Sequence, residues 1–126
     1  QTVADIIAIL PLETEMVHTR WCGREISCAI NTVTKPPREN STGIVSKFDL
    51  CYWRPWGEAP CPEAPGEEAL ALYYGAERPS YHDGLLSLNV FGHLNYDQEE
   101  ELEQIGILIW QQGKEKVRVS IVEQPQ

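Results

Sequence analysis

The chain lacks the short motifs that identify most enzymes and nucleotide-binding proteins. It has no G-x-S-x-G sequence around a serine and no glycine-rich loop that would cradle a phosphate. Apolar runs are short as well: Ile6 to Leu10, for example, falls far below the roughly 20 residues needed to cross a bilayer. We therefore predict no enzymatic activity, no cofactor, no bound metal and no membrane insertion.

Positive charge is also scarce. The sequence has 10 lysines and arginines against 19 acidic residues, which gives a net charge of −9. Nucleic acids and anionic membranes both require a basic face, so this balance argues against either as a partner. The length of 126 residues predicts one domain, 1–126. Because the chain begins at Gln1 without methionine, we expect a processed form or a module of a longer protein.

Cysteine is absent from residue 62 onward, while four cysteines lie close together before it: Cys22, Cys28, Cys51 and Cys61. The gaps of five and nine residues within the two pairs are longer than the short knuckle of a zinc site. An even number of cysteines predicts two disulfides, for which three pairings are open. The nested pairing, Cys22–Cys61 and Cys28–Cys51, is preferred because it would attach the proline-rich segment around Cys61 to the rest of the fold. Free thiols and a metal site remain alternatives.

A glycosylation acceptor, Asn40-Ser41-Thr42, lies in a polar loop between the two cysteine pairs. Such an acceptor has meaning on the surface of a secreted protein, where disulfides also persist. Together they predict a glycoprotein that is extracellular or lies on the surface of a virion.

Alternating side chains predict strands in several places. Residues 24–33 place Ile26, Cys28 and Ile30 on one face. Residues 43–53 alternate so that one set, including Tyr52, faces the core and Trp53 faces the other way. The first ten residues have a helix-like start, but their isoleucines favour a strand, which we predict.

The C-terminal part predicts a hairpin. Its alternating residues are Ile105, Ile107, Ile109, Val117, Val119 and Ile121. A turn at 112–114 would join the two strands, and Ile107 and Val119 are predicted core positions. Residues 55–66 contain four prolines and predict a long, stiff loop. The fold is therefore predicted to be all-β, an antiparallel β-sandwich or small barrel of about six to eight strands.

The aromatic residues Tyr52, Trp53 and Trp56 are the predicted interaction surface. Trp56 lies at the start of the proline loop, and a large aromatic side chain on a stiff loop loses little entropy on binding. The first hypothesis is a non-enzymatic interaction module that binds another protein or a glycan, with a homo-oligomer as an open alternative. A viral or phage capsid, protruding or decoration domain belongs to the same class.

Two hypotheses come from other classes. A small metal-dependent enzyme would use His82, Asp83 and His93, although their spacing is not that of ligands on one strand face. The other is an acidic intracellular inhibitor that mimics nucleic acid and has free thiols.

Among the cysteines, Cys22 is the one candidate for an activated thiol, because a basic residue lies two positions away on either side.

Overall fold

A computed structural model describes residues 1–56, 68–81 and 84–122. The elements in chain order are helix α1 (Thr2–Ile7), strands β1 (Leu12–His18), β2 (Glu25–Ile30), β3 (Ser41–Thr42), β4 (Asp49–Trp53), β5 (Glu68–Tyr73), β6 (Ser80–Tyr81), β7 (Gly84–Leu85) and β8 (Leu88–His93), helix α2 (Glu99–Gln112) and strand β9 (Lys114–Val119). Two 3-10 turns, Arg20–Cys22 and Tyr96–Gln98, precede β2 and α2.

Seven of the strands in the described part form one antiparallel sheet in the order β3-β8-β4-β5-β2-β1-β9, and β6 pairs with β7. The predicted all-β class is confirmed, and the strand number of the main sheet agrees with the prediction. The layer on one face of this sheet is helix α2, which contacts β1, β2 and β9, rather than a second large sheet.

Both faces of the central strands are buried. On the face toward α2, Ile26, Cys28 and Ile30 of β2 pack in one core cluster, as their alternation predicts. On the opposite face, a smaller cluster contains Cys51 and Tyr73. Because each strand contributes to two cores, successive residues of β4 and β5 have different environments.

The strand prediction for the N-terminal segment is wrong, because Thr2–Ile7 form helix α1. Thr2, Asp5 and Ile6 are buried, and their spacing of three and four residues places them on one helical face. This burial of one side outweighs the preference of the isoleucines for a strand.

The predicted C-terminal hairpin is also wrong, because Ile105 to Ile109 belong to helix α2. Its buried residues, Leu102, Gly106 and Ile109, repeat with helical spacing. Three glutamates in the first turn stabilise the helix, because their negative charges lie at the positive end of the helix dipole. Ile107 is 53% exposed and is not a core residue, whereas Ile109 is fully buried.

Helix α2 ends at Gly113, whose φ of 95° is a conformation that favours glycine. Strand β9 then returns along β1 rather than along the 105–109 segment, with Val119 level with Leu12. Val119 is half-buried and packs against the main core cluster. Of the proline loop 55–66, only Pro55 and Trp56 are among the described residues.

No helix within the described ranges is long and apolar enough to cross a membrane.

Candidate functional site

A small cavity of about 140 Å³ lies on the sheet face opposite α2. Part of its wall comes from strands β2, β4, β5 and β8, and part from four residues outside the strands: Thr19, Trp21, Cys22 and Leu86. Its apolar lining consists of Trp21, Trp53, Ala69, Ala71, Leu86 and Leu88. Trp21 is 60% exposed and lies at the rim, whereas Leu88 is buried. The cavity is thus mostly apolar, with an indole ring at its edge.

Small side chains on adjacent strands create the empty space. Ser27 of β2 is directly opposite Ala71 of β5, and Ala29 is opposite Ala69. Directly opposed residues share a face of the sheet, so three small cavity-lining residues and the exposed Ala29 form one patch. Larger residues there would fill the cavity.

Glu25 is the charged residue of the cavity, and it is only 4% exposed. The Tyr73 hydroxyl donates a hydrogen bond to its Oε2 atom. Burial raises the pKa of Glu25 to about 6, and hydrogen bonds from Tyr73, Thr19 and Cys22 partly offset that rise. Thr19 also exchanges a hydrogen bond of 2.5 Å with Ser27. These neutral donors hold the carboxylate in a fixed position.

Cys22 lines the same cavity as a neutral thiol. Its Sγ donates to the carbonyl oxygen of Ser80 at 3.1 Å. Burial, with a further contribution from the Glu25 carboxylate, raises the pKa of this thiol to about 12. An activated thiol requires the opposite shift. Cys22 is a free thiol in the structure, and Cys61, its predicted disulfide partner, lies outside the described residues.

The predicted Cys28–Cys51 disulfide is not formed, and both residues are buried free thiols. Cys28 is level with Leu70 of β5, and Cys51 is level with the next residue, Ala71. Successive residues of a strand point to opposite faces, so the two thiols lie on opposite faces with β5 between their strands. A disulfide cannot join side chains that point apart in this way, and this prediction is wrong.

The three predicted interaction residues do not form one surface. Tyr52 is fully buried on the α2 side of the sheet and is a core residue. Trp53 points to the other side and lines the cavity. Trp56 is half-buried, with its ring centroid 6.2 Å from that of Tyr52. The guanidinium groups of Arg54 and Arg38 lie 4.8 and 5.2 Å from the centroid of the Trp56 ring.

The proposed metal-binding residues are only partly described. His93 lies on β8, and its Nδ1 is 2.9 Å from the carbonyl oxygen of Leu94. His82 and Asp83 lie outside the described residues. In the ranges that the structure describes, no three histidine, cysteine or acidic residues form a group that could hold a metal ion.

The side chain of Asn40, the predicted glycosylation position, is exposed beside β8. Its Nδ2 donates to the carbonyl oxygen of Val90 at 2.7 Å, and its φ of 47° is unusual for a residue with a side chain. Glycosylation at this position stays a prediction.

A second groove, of about 510 Å³, lies between α2 and the end of β5. Its charged residues and its tyrosine are paired within the protein. The Nε of Arg24 donates to Glu77 at 2.6 Å, and Glu103 accepts a hydrogen bond from a lysine. The hydroxyl of Tyr74 is 2.5 Å from Nε2 of His18. The charged groups of this groove are in ion pairs, whereas Glu25 has only neutral hydrogen-bond partners, so the Glu25 cavity is the stronger candidate for a site.

Sequence patterns alone did not single out Glu25 or Trp21. Glu25 begins a strand that alternation does predict, and it lies on the face of Ser27 and Ala29 rather than of the isoleucines. The signal that could have indicated a cavity is an acidic residue followed by small residues on the same face of one strand.

No curated protein matches this sequence. A family described as "Protein of unknown function (DUF3830)" matches residues 1–121. Because this match spans almost the whole chain, the protein belongs to the DUF3830 family.

Proposed function

We propose that this is a non-enzymatic binding protein that takes one small, mostly apolar molecule into the cavity lined by Trp21 and Trp53. The observation that carries the proposal is the cavity itself, which is formed within a single chain, has apolar walls and contains a few fixed polar groups. Small-molecule sites have this composition and are largely formed before the ligand arrives.

The volume limits the size of the ligand. An apolar cavity of roughly 150 Å³ can hold one benzene-sized molecule. The cavity here, at about 140 Å³, therefore fits a single ring or a branched chain of similar size. Trp21 at the rim would cover such a ligand in part.

The chemistry of the lining supports binding rather than catalysis. A thiol is the strongest potential nucleophile of the wall, and the raised pKa of Cys22 keeps it protonated at neutral pH. Thr19 and Ser27 hydrogen bond to each other. Binding to another protein or a glycan, formation of a homo-oligomer, and a location outside the cell or on a virion stay predictions of the sequence.

Titration with ring-sized probes tests the proposal. Tetrahydropyran and piperidine have six-membered rings, and binding would be followed by nuclear magnetic resonance shifts of the Ala69 and Ala71 methyl groups and by calorimetry. The variant Ala69→Leu fills the cavity and should abolish binding. Ala4→Leu makes the same change at an exposed position of α1 and should leave binding intact.

The thermal unfolding of both variants would be measured alongside, so that lost binding is not confused with a lost fold. If neither probe shifts these methyl groups, or if Ala69→Leu binds as well as the unmodified protein, the cavity is not a binding site.

A further inference from the structure

The carboxylate of Glu25 is buried without a positive partner. The groups that hydrogen bond to it, on Tyr73, Thr19 and Cys22, are neutral. Within the described part of the chain, no lysine, arginine or histidine forms an ion pair with Glu25. A buried ionised group is costly unless an opposite charge pairs with it.

The arginines nearest in sequence are engaged elsewhere. Arg24, the preceding residue, forms an ion pair with Glu77 at 2.6 Å. Arg20 donates to the carbonyl oxygen of Trp110 at 2.7 Å, and its guanidinium carbon lies 4.6 Å from the centroid of that indole ring. The Glu25 carboxylate therefore lines the cavity with only neutral groups hydrogen-bonded to it.

Two tryptophans line the cavity together with this carboxylate. Indole rings attract cations more strongly than other aromatic side chains do, and the attraction grows when water is excluded. A carboxylate and indoles around an apolar space form a combination that suits an organic cation. A calcium or magnesium ion is a poor fit, because it needs six or more oxygen ligands and the wall here is mostly apolar.

We propose that the cavity selects a small protonated amine with an apolar body about one ring in size, with Glu25 as the counter-ion. This inference rests on the proposed function and names the chemical class of its ligand. The ammonium group would lie against the Glu25 carboxylate, and the carbon skeleton would lie against Ala69, Ala71 and Leu88.

Piperidine and tetrahydropyran provide the test, because they share ring size and differ in charge at neutral pH. At about pH 8 we expect the protein to bind piperidine at least about tenfold more tightly than tetrahydropyran, measured by calorimetry. In Glu25→Gln, the two affinities should agree within about threefold, because the amide keeps the shape and removes the charge.

A matched control separates the local charge from the overall charge of −9. Glu101→Gln removes one exposed acid from α2, on the other side of the sheet, and should keep the full preference for piperidine.

The pH dependence of binding by the unmodified protein is a second test, which needs no variant. Between about pH 8 and pH 5, protonation of Glu25 should remove most of the preference, while tetrahydropyran binding stays constant.

The outcomes distinguish the two proposals. Equal binding of both probes by the unmodified protein, or a preference that survives Glu25→Gln, overturns the cation inference and leaves the binding function standing if Ala69→Leu abolishes binding. Failure of both probes to bind refutes the binding function and the inference together.

Discussion

Replacing Glu25 with glutamine should stabilise the fold above about pH 6. The folded protein holds the Glu25 carboxylate in a buried position that raises its pKa from 4.5 to about 6. At 1.36 kcal/mol per pKa unit, keeping this group ionised in the folded state disfavours folding by about 2 kcal/mol. Glutamine has the same shape, carries no charge, and can still accept the hydrogen bond from Tyr73.

The sign of the pH dependence follows from proton binding. Between pH 4.5 and about 6, the folded state binds more protons at Glu25 than the unfolded state does. The contribution of Glu25 to stability is therefore fully present below 4.5 and is lost as the pH rises through about 6. Burial, with a further contribution from Arg20, lowers the pKa of His18, so that group makes the fold more stable as the pH rises. Comparing the two proteins at each pH cancels the effect of His18.

Urea unfolding followed by circular dichroism, at several values between about pH 4 and pH 8, would give the free energy of unfolding of each protein. We expect equal stabilities near pH 4 and an advantage for Glu25→Gln of up to about 2 kcal/mol near pH 8. A variant that is equally stable or less stable at pH 8 would show that the hydrogen bonds of the carboxylate outweigh its burial. A buried charge that lowers stability is typical of a functional group.

Two further predictions concern helix α2, and both are measured as changes in the free energy of unfolding in urea. Ile109→Ala should destabilise the protein by about 2–5 kcal/mol because Ile109 is fully buried. Ile107→Ala, at an exposed position, should change stability by less than about 0.5 kcal/mol. The reverse order would mean that the helix presents its other face to the sheet. Gly106→Ala should destabilise by about 1–3 kcal/mol despite the better helix propensity of alanine, since the new methyl group would lie 2.5 Å from the Tyr74 ring. A stabilised Gly106→Ala variant would show that Tyr74 can move aside.

Alternation identified the central strands correctly because each of their faces is uniform over several residues. Ile26, Cys28 and Ile30 all pack toward α2, as the sequence indicates. The same rule failed at Ile105, Ile107 and Ile109, where apolar residues at every second position lie in a helix whose buried residues are spaced by three and four. A pattern of period two over five residues cannot separate these cases, since a broad helical face contains such positions as well.

The candidate site was only partly accessible to sequence reasoning. The orientation of Trp53 away from the α2 side follows from the period of its strand, and the structure agrees. The cavity, however, depends on Ala69 and Ala71 lying between β2 and β4 in the sheet. Such neighbours are fixed by long-range strand pairing, which a local pattern does not encode.

Because buried thiols lie on both faces of the sheet, thiol labelling can measure local unfolding of this protein. Burial raises the pKa of Cys28 to about 11 and that of Cys51 further still, so neither is a thiolate in the folded state at neutral pH. Alkylating reagents attack the thiolate, and they can reach these two residues only when the central strands separate. The rate at which iodoacetamide labels Cys28 would therefore measure exposure of the core beneath α2. Labelling of Cys51 would measure exposure of the opposite face.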